Sequence, residues 1–173
     1  MKNLSLSLLS LIFIVSCSEN DSYSARVLNA DTENESWLLH GRTYDESRFS
    51  PLNDINDSNV QDLGLAWSFE TGTNRGHETT PIVVDGMMFI TAPWSVVFAL
   101  DAKTGKELWS FDPEADKDWA RNACCDVVNR GAAVWGDQVV FATIDGRLIS
   151  LDKASGVVNW DVLTIDKSKP YTI

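Results

Sequence analysis

From Trp37 onward the chain alternates short apolar runs with polar punctuation. Runs of four to six residues rich in Val, Ile, Phe and Trp, bounded by Gly or Asp-Gly, predict strands. One set is expected at Thr80 to Val84, Met87 to Thr91, Val96 to Leu100 and Glu107 to Phe111. A second is expected near Ala132 to Trp135, Gln138 to Thr143, Arg147 to Leu151 and Val157 to Asp161. Asp85-Gly86 suits the left-handed conformations of a two-residue hairpin turn. Gly105, Asp145-Gly146 and Gly156 supply further turns. No long stretch carries the 3.6-residue period of an amphipathic helix, so the folded part is predicted to be all-β.

The two sets are copies of one another. ALDAKTGKELW at Ala99 to Trp109 aligns without gaps with SLDKASGVVNW at Ser150 to Trp160, an offset of 51 residues. A period near 50 residues with four short strands in each unit predicts blades of a β-propeller. Trp67, in LGLAWSFETG, falls at the equivalent place of a partial blade upstream. The repeated tryptophans read equally as sheet-core aromatics and as inter-blade contacts, since both are packing; they speak for the fold more than for a function. Propellers close with roughly 4–8 blades. Two full units and a partial one therefore predict the N-terminal part of a longer propeller.

The first residues follow a different pattern. MKNLSLSLLSLIFIVSC places Lys2 before an apolar run from Leu4 to Val15, the layout of an export signal and too short to span a bilayer. Ile14-Val15-Ser16-Cys17 is similar to the bacterial lipobox, which makes Cys17 a candidate lipid attachment point; an ordinary cleaved signal with a chance cysteine is the alternative. Residues 1–16 are thus read as signal, 17–36 as a polar, flexible tether with little to bury, and 37–173 as the partial propeller. The formal net charge is −11, and Lys and Arg are scattered among Asp and Glu with no basic stripe. This excludes a nucleic-acid partner on electrostatic grounds.

Of three cysteines, Cys124 and Cys125 are adjacent, in RNACCDVVNRG. Neighbouring Cα atoms lie about 3.8 Å apart, closer than disulfide-linked residues usually sit, so a bond between the two must distort its peptide. Strained disulfides tend to be functional. In an exported chain where each has only the other as an intramolecular partner, a vicinal disulfide is favoured; two small thiols buried in a strand are the alternative. His40 and His77 make no ligand cluster with the pair, which argues against a metal site there.

The segments NRGHETTPIVVDGMMFITAPWSVVFALDAKTGKELWSFDP and ACCDVVNRG closely resemble alcohol dehydrogenases dependent on pyrroloquinoline quinone (PQQ), particularly the ethanol-type and quinohaemoprotein branch. The resemblance runs from about Trp37 to the C-terminus. It implies an eight-bladed propeller in which Trp67, Trp109 and Trp160 dock between neighbouring blades. It implies that a Cys124–Cys125 disulfide forms a platform against one face of the cofactor. Glu78, in RGHETTP, would accept a hydrogen bond from a ring N–H, and the Arg130 guanidinium would meet a carboxylate or quinone oxygen. Taken without the resemblance, Glu78 reads as an exposed loop residue and Arg130 as half of a surface ion pair. Arg75 and His77 carry no role over.

The reaction implied is oxidation of a primary or secondary alcohol by hydride transfer to the quinone. Ca²⁺ or a lanthanide would serve as Lewis acid, an Asp as base, and a cytochrome or quinone as electron acceptor, with haem c in a further C-terminal domain in some members. The metal ligands and the catalytic Asp of the family lie in later blades, so none is named here. A runner-up from another class is a non-catalytic propeller lipoprotein that scaffolds outer-membrane assembly; it shares the lipobox, the acidic tether and the Trp repeats but has no use for adjacent cysteines. An inactive fragment is the third reading.

Overall fold

The computed structural model describes residues 19–173; the expected signal at 1–16 and Cys17 lie outside the described residues. Eight strands form two four-stranded antiparallel meanders. The first runs β1 (Ile82–Val84), β2 (Met87–Thr91), β3 (Val97–Asp101) and β4 (Glu107–Phe111), and the second β5 (Ala133–Trp135), β6 (Gln138–Ala142), β7 (Arg147–Asp152) and β8 (Val158–Leu163). Each lies within one or two residues of its expected place. Val84 pairs with Met87 across Asp85 and Gly86, whose φ values of 54° and 76° give the hairpin turn that the dipeptide favours.

The repeat motif is built for its third turn. The carboxylate of Asp101 accepts from the amide of Thr104 at 2.8 Å and from its hydroxyl at 2.7 Å, and Asp152 does the same with Ser155 at 2.8 and 2.6 Å. These side-chain bonds hold both carboxyls below the usual range. The glycine that follows, Gly105 or Gly156, has φ of 71° or 72° and lies flat beneath a tryptophan from the preceding unit. A Cβ on Gly156 would come within 2.7 Å of Trp109 Cε3, and one on Gly105 would run into the Trp67 ring. Trp109 also donates its indole N–H to the carbonyl of Lys153 at 3.0 Å. Trp160 occupies the same position on β8 and is 37 % exposed. Around Trp67, expected in a partial blade, residues 63–70 belong to no sheet of the described residues; its side chain packs with Phe98 and Leu100 of the first sheet.

One core joins the two sheets. Val84, Phe89, Val97 and Ala99 of the first meet Val139, Phe141, Ile149 and Leu151 of the second. Tyr23, Val27 and Leu38 complete the same cluster, so Tyr23 and Val27, which fall in the span expected to be a polar tether, pack against the sheets. Residues Glu19–Leu28 form helix α1; Tyr23 and Val27, four residues apart, lie on one face of it and are each 2 % exposed. The Tyr23 ring meets that of Trp135 at a tilt of 58°, with centroids 5.3 Å apart. A fully buried Val contributes about 1.5–3 kcal/mol, enough for a sparse apolar stripe to dock an otherwise polar segment. Arg26 fixes the outer face, donating to Glu33 at 2.7 Å and to Asp85 at 2.9 Å. Lys153 reaches the same Asp85 at 3.0 Å. The turn between β1 and β2 is therefore held by a helix on one side and by the second blade on the other.

Candidate functional site

The expected cofactor residues come from two places in the chain. Glu78 lies in the loop that leads into β1, and Arg130 precedes β5, the corresponding first strand of the next blade. The two loops are joined where they enter their sheets: the amide of Thr80 donates to the carbonyl of Arg130 at 3.2 Å. Gly131, with φ of 130°, passes so close that a Cβ there would sit 3.1 Å from the Thr80 carbonyl oxygen. Thr79 Oγ1 accepts from the Thr91 amide at 3.0 Å, and Thr91 Oγ1 reaches the carbonyl of Asn129 at 3.3 Å.

Asn129 is the fastener of this region. Its side-chain amide donates to the Ala142 carbonyl at 2.8 Å and to Ser95 Oγ at 3.1 Å, while its oxygen accepts from the Gly131 amide at 3.0 Å. One side chain thus ties β6, the β2–β3 connection and the loop carrying Arg130. The front of the cysteine loop is pinned separately, by the amide of Asp116 donating to buried Asp145 at 3.2 Å and by Arg147 donating to the Pro113 carbonyl at 2.6 Å. Val127, just past the cysteines, is buried with Ala115 and Ile144 in a small apolar cluster of its own.

On this frame Arg130 and Glu78 meet. Arg130 Nη2 lies 3.0 Å from Glu78 Oε2. Cys124 and Cys125 stand as free, solvent-exposed thiols, not buried in a strand. The Cys125 thiol is pushed above its ordinary range, chiefly by its hydrogen bond to Cys124 and that neighbour's charge, with Glu78 adding to the effect and Arg130 opposing it. Cys125 therefore shares an electrostatic neighbourhood with its partner cysteine, Arg130 and Glu78. With side chains 68 % and 45 % exposed, the ion pair adds little to stability. Its chemical content is a planar cation and an anion acceptor, with two exposed thiols in the loop that carries Arg130.

The remaining candidates lie elsewhere. His77 hydrogen-bonds Thr71 Oγ1 at 2.7 Å and faces a separate concavity between residues 69–74 and Ile90. His40 borders a larger hollow of about 640 Å³ along the flank of β5 to β7. That hollow shares Thr80 and Arg130 with the cluster but neither cysteine nor Glu78, and its lining by Leu38, Ile82, Val140, Phe141 and Leu148 is that of a packing face. Among the described residues, no group of three or more His, Cys, Asp and Glu side chains could hold a metal ion.

Three residues beside the cysteines were not singled out by sequence reasoning: Asn129, Asp126 and Trp94. The Asn-x-Gly spacing of Asn129 and Gly131 is the available signal for the first, since an Asn side chain bonds the backbone two residues on. Asp126 forms an ion pair with Arg75, so Arg75 also belongs at the edge of the site.

Residues 37–161 match the family described as "PQQ: Glucose/ethanol/alcohol dehydrogenase, beta-propeller domain". The quinohemoprotein alcohol dehydrogenase ADH-IIG of Pseudomonas putida is 51 % identical over 150 residues, which is 86 % of this chain and 21 % of that protein. Its solved structure superposes with a TM-score of 0.84 over 86 % of this chain and 22 % of its own. A 1-butanol dehydrogenase (cytochrome c) of Thauera butanivorans is 51 % identical over 79 % of this chain and 20 % of that protein. A europium-containing methanol dehydrogenase superposes with a TM-score of 0.80 at 37 % identity, over 86 % of this chain and 26 % of its own. The chain spans about a fifth of the length of the curated relatives it matches. Two blades stacked through Trp-on-Gly contacts, a dicysteine beside an Arg–Glu pair and these matches agree: the chain belongs to the PQQ-dependent glucose, ethanol and alcohol dehydrogenase family and forms part of its β-propeller domain.

Proposed function

We propose that this chain is part of an exported, PQQ-dependent alcohol dehydrogenase and supplies one wall of its cofactor pocket. The observation that supports the reading is the Arg130–Glu78 ion pair, 3.0 Å long and joining the loops that enter successive blades, with the exposed adjacent cysteines in the same loop as Arg130. In an oxidising compartment the two thiols close to a vicinal disulfide that lies against one face of the flat cofactor. Arg130 donates to a carboxylate or quinone oxygen, and its guanidinium is oriented beforehand by Glu78. Glu78 keeps acceptor capacity for a ring N–H. When bound, PQQ with its Ca²⁺ or lanthanide ion supplies the electrophilic carbon that takes hydride from an alcohol. The chain's own part is to bind, orient and cover that group.

The substrate class is a small primary or secondary alcohol, and electrons leave to a cytochrome or a quinone. The leader sequence supports delivery to the periplasm, with Cys17 as the point of attachment to the membrane.

The test is to produce the complete protein in exported form with PQQ and Ca²⁺ and to measure alcohol-dependent reduction of an artificial acceptor. Activity that requires PQQ, and that falls at least tenfold in Arg130→Ala and in the Cys124→Ser/Cys125→Ser double variant, is expected. A purified protein that takes up no PQQ and oxidises no short-chain alcohol would sink the reading.

A further inference from the structure

We propose that Arg75 is a positioning residue for the Cys124–Cys125 pair, acting across the blade boundary through Asp126 and the indole of Trp94. Arg75 sits in the RGHE loop before β1, three residues from Glu78. Its guanidinium pairs with the carboxylate of Asp126, the residue directly after the cysteines, and lies 5.7 Å from the centroid of Trp94. Lys117 Nζ sits 4.1 Å from the same ring centroid. The indole is thus held by two cations, one from each blade's loop.

Trp94 is itself fastened to the cysteine loop on both sides of the pair. Its ring packs against the cluster of Ala115, Val127 and Ile144, together with Ala120 and Ala123. Its amide donates to the Val127 carbonyl at 2.9 Å. The backbone of this region is strained: Trp94, Ser95 and Asp126 have φ of 66°, 62° and 68°, in a region that non-glycine residues rarely occupy. Such conformations persist only where the surroundings over-determine them. Ser95 is held by Asn129 at 3.1 Å and Trp94 by Val127, while Asp126 has Arg75.

Fixing Asp126 removes conformational freedom from the loop before the sulfurs join, so ring closure costs less with the clamp than without it. Closure takes two protons and two electrons from the cysteines, and a small-molecule disulfide that accepts them becomes two thiols. The importance of the clamp for cofactor binding rests on the proposed role of the pair as a platform; its effect on the thiol–disulfide equilibrium does not.

The experiment equilibrates the complete, cofactor-free protein in glutathione redox buffers, traps the thiols by alkylation and reads the oxidised fraction by mass. Arg75→Ala is expected to shift the equilibrium about three- to tenfold toward the dithiol, about 15–30 mV for a two-electron couple. Arg75→Lys, which keeps charge but loses the planar fork, should recover part of the shift. The Arg75→Asp/Asp126→Arg exchange should return it to within about twofold of the parent, a rescue that general destabilisation would not give. An Arg75→Ala equilibrium within about twofold of the parent overturns the clamp, as does an exchange variant no better than either single change. PQQ binding followed in parallel separates the two ideas. A shifted equilibrium in a protein that binds no PQQ leaves the clamp standing and removes the platform, whereas PQQ binding with no shift does the reverse.

Discussion

Replacing Gly156 by Ala tests the inter-blade contact most directly, because one methyl group meets two separable obstacles. The first is the backbone: at φ of 72° an L-residue costs about 1–2 kcal/mol more than Gly. The second is the ring of Trp109. The new Cβ would sit 2.7 Å from Cε3, 2.8 Å from Cδ2 and 3.2 Å from Cγ, all inside ordinary contact, so the indole must move by several tenths of an ångström. That motion draws on its 3.0 Å hydrogen bond to the Lys153 carbonyl, worth about 1 kcal/mol, and on its packing against Phe89, 5.9 Å away between ring centroids. Overpacking of this kind adds about 1–3 kcal/mol. The substitution should cost about 2–5 kcal/mol.

Gly86 supplies the control. Its φ is 76°, and a Cβ there meets nothing within 4 Å, so Gly86→Ala should cost only the backbone component, about 1–2 kcal/mol. Chemical denaturation of the complete protein, followed by tryptophan fluorescence, compares the two. A double-mutant cycle then isolates the contact: in a Trp109→Ala background the excess penalty of Gly156→Ala should vanish, because neighbouring residues couple and independent ones do not. Equal destabilisation by the two alanines, or an excess that survives loss of the ring, would refute the idea that the glycine exists to receive the tryptophan.

Other consequences are shorter to state. Tyr23 has a buried hydroxyl with no hydrogen-bond partner, and burial pushes its pKa up to about 12; Tyr23→Phe should therefore be neutral or stabilising by up to about 1 kcal/mol, read from the denaturation midpoint. The docking of α1 should weaken in acid. Burial opposes ionisation of Asp85, yet hydrogen bonds from Arg26 and Lys153 hold its carboxyl below the usual range, and Arg26 lowers Glu33 likewise. Because both values are depressed in the folded state, their contribution is present above about pH 4 and is lost as pH falls through the folded values. Hydrogen exchange of the helix amides should speed up over that window, and in Asp85→Asn the window should narrow. Removal of a charged donor by Arg130→Ala should lower PQQ affinity about 10- to 100-fold, measured by quenching of protein fluorescence. An unchanged affinity would remove Arg130 from the cofactor's contacts.

What could be read from the sequence, and what could not, follows from the range over which each interaction acts. Turns were legible because their requirements are local: Asp101 and Thr104 meet within four residues, and a glycine must follow. Helix α1 escaped because its buried residues, Tyr23 and Val27, are interspersed with polar or exposed positions such as Ser22, Ala25 and Leu28, so composition registered the polar residues and not the apolar pair. The clamp around the cysteines escaped for the opposite reason, since Arg75 and Asp126 are 51 residues apart. That separation equals the offset of the repeat. In an array of stacked units, residues one period apart occupy equivalent places on neighbouring blades, so the loops entering β1 and β5 must emerge side by side at the same end. The RGHE and CCDVVNRG segments are one period apart in this sense, and their residues meet for that reason: Glu78 with Arg130, Thr80 with Arg130, Arg75 with Asp126. A pocket assembled by the repeat requires each loop to contribute only a fragment of the chemistry, which is why neither segment alone discloses the site.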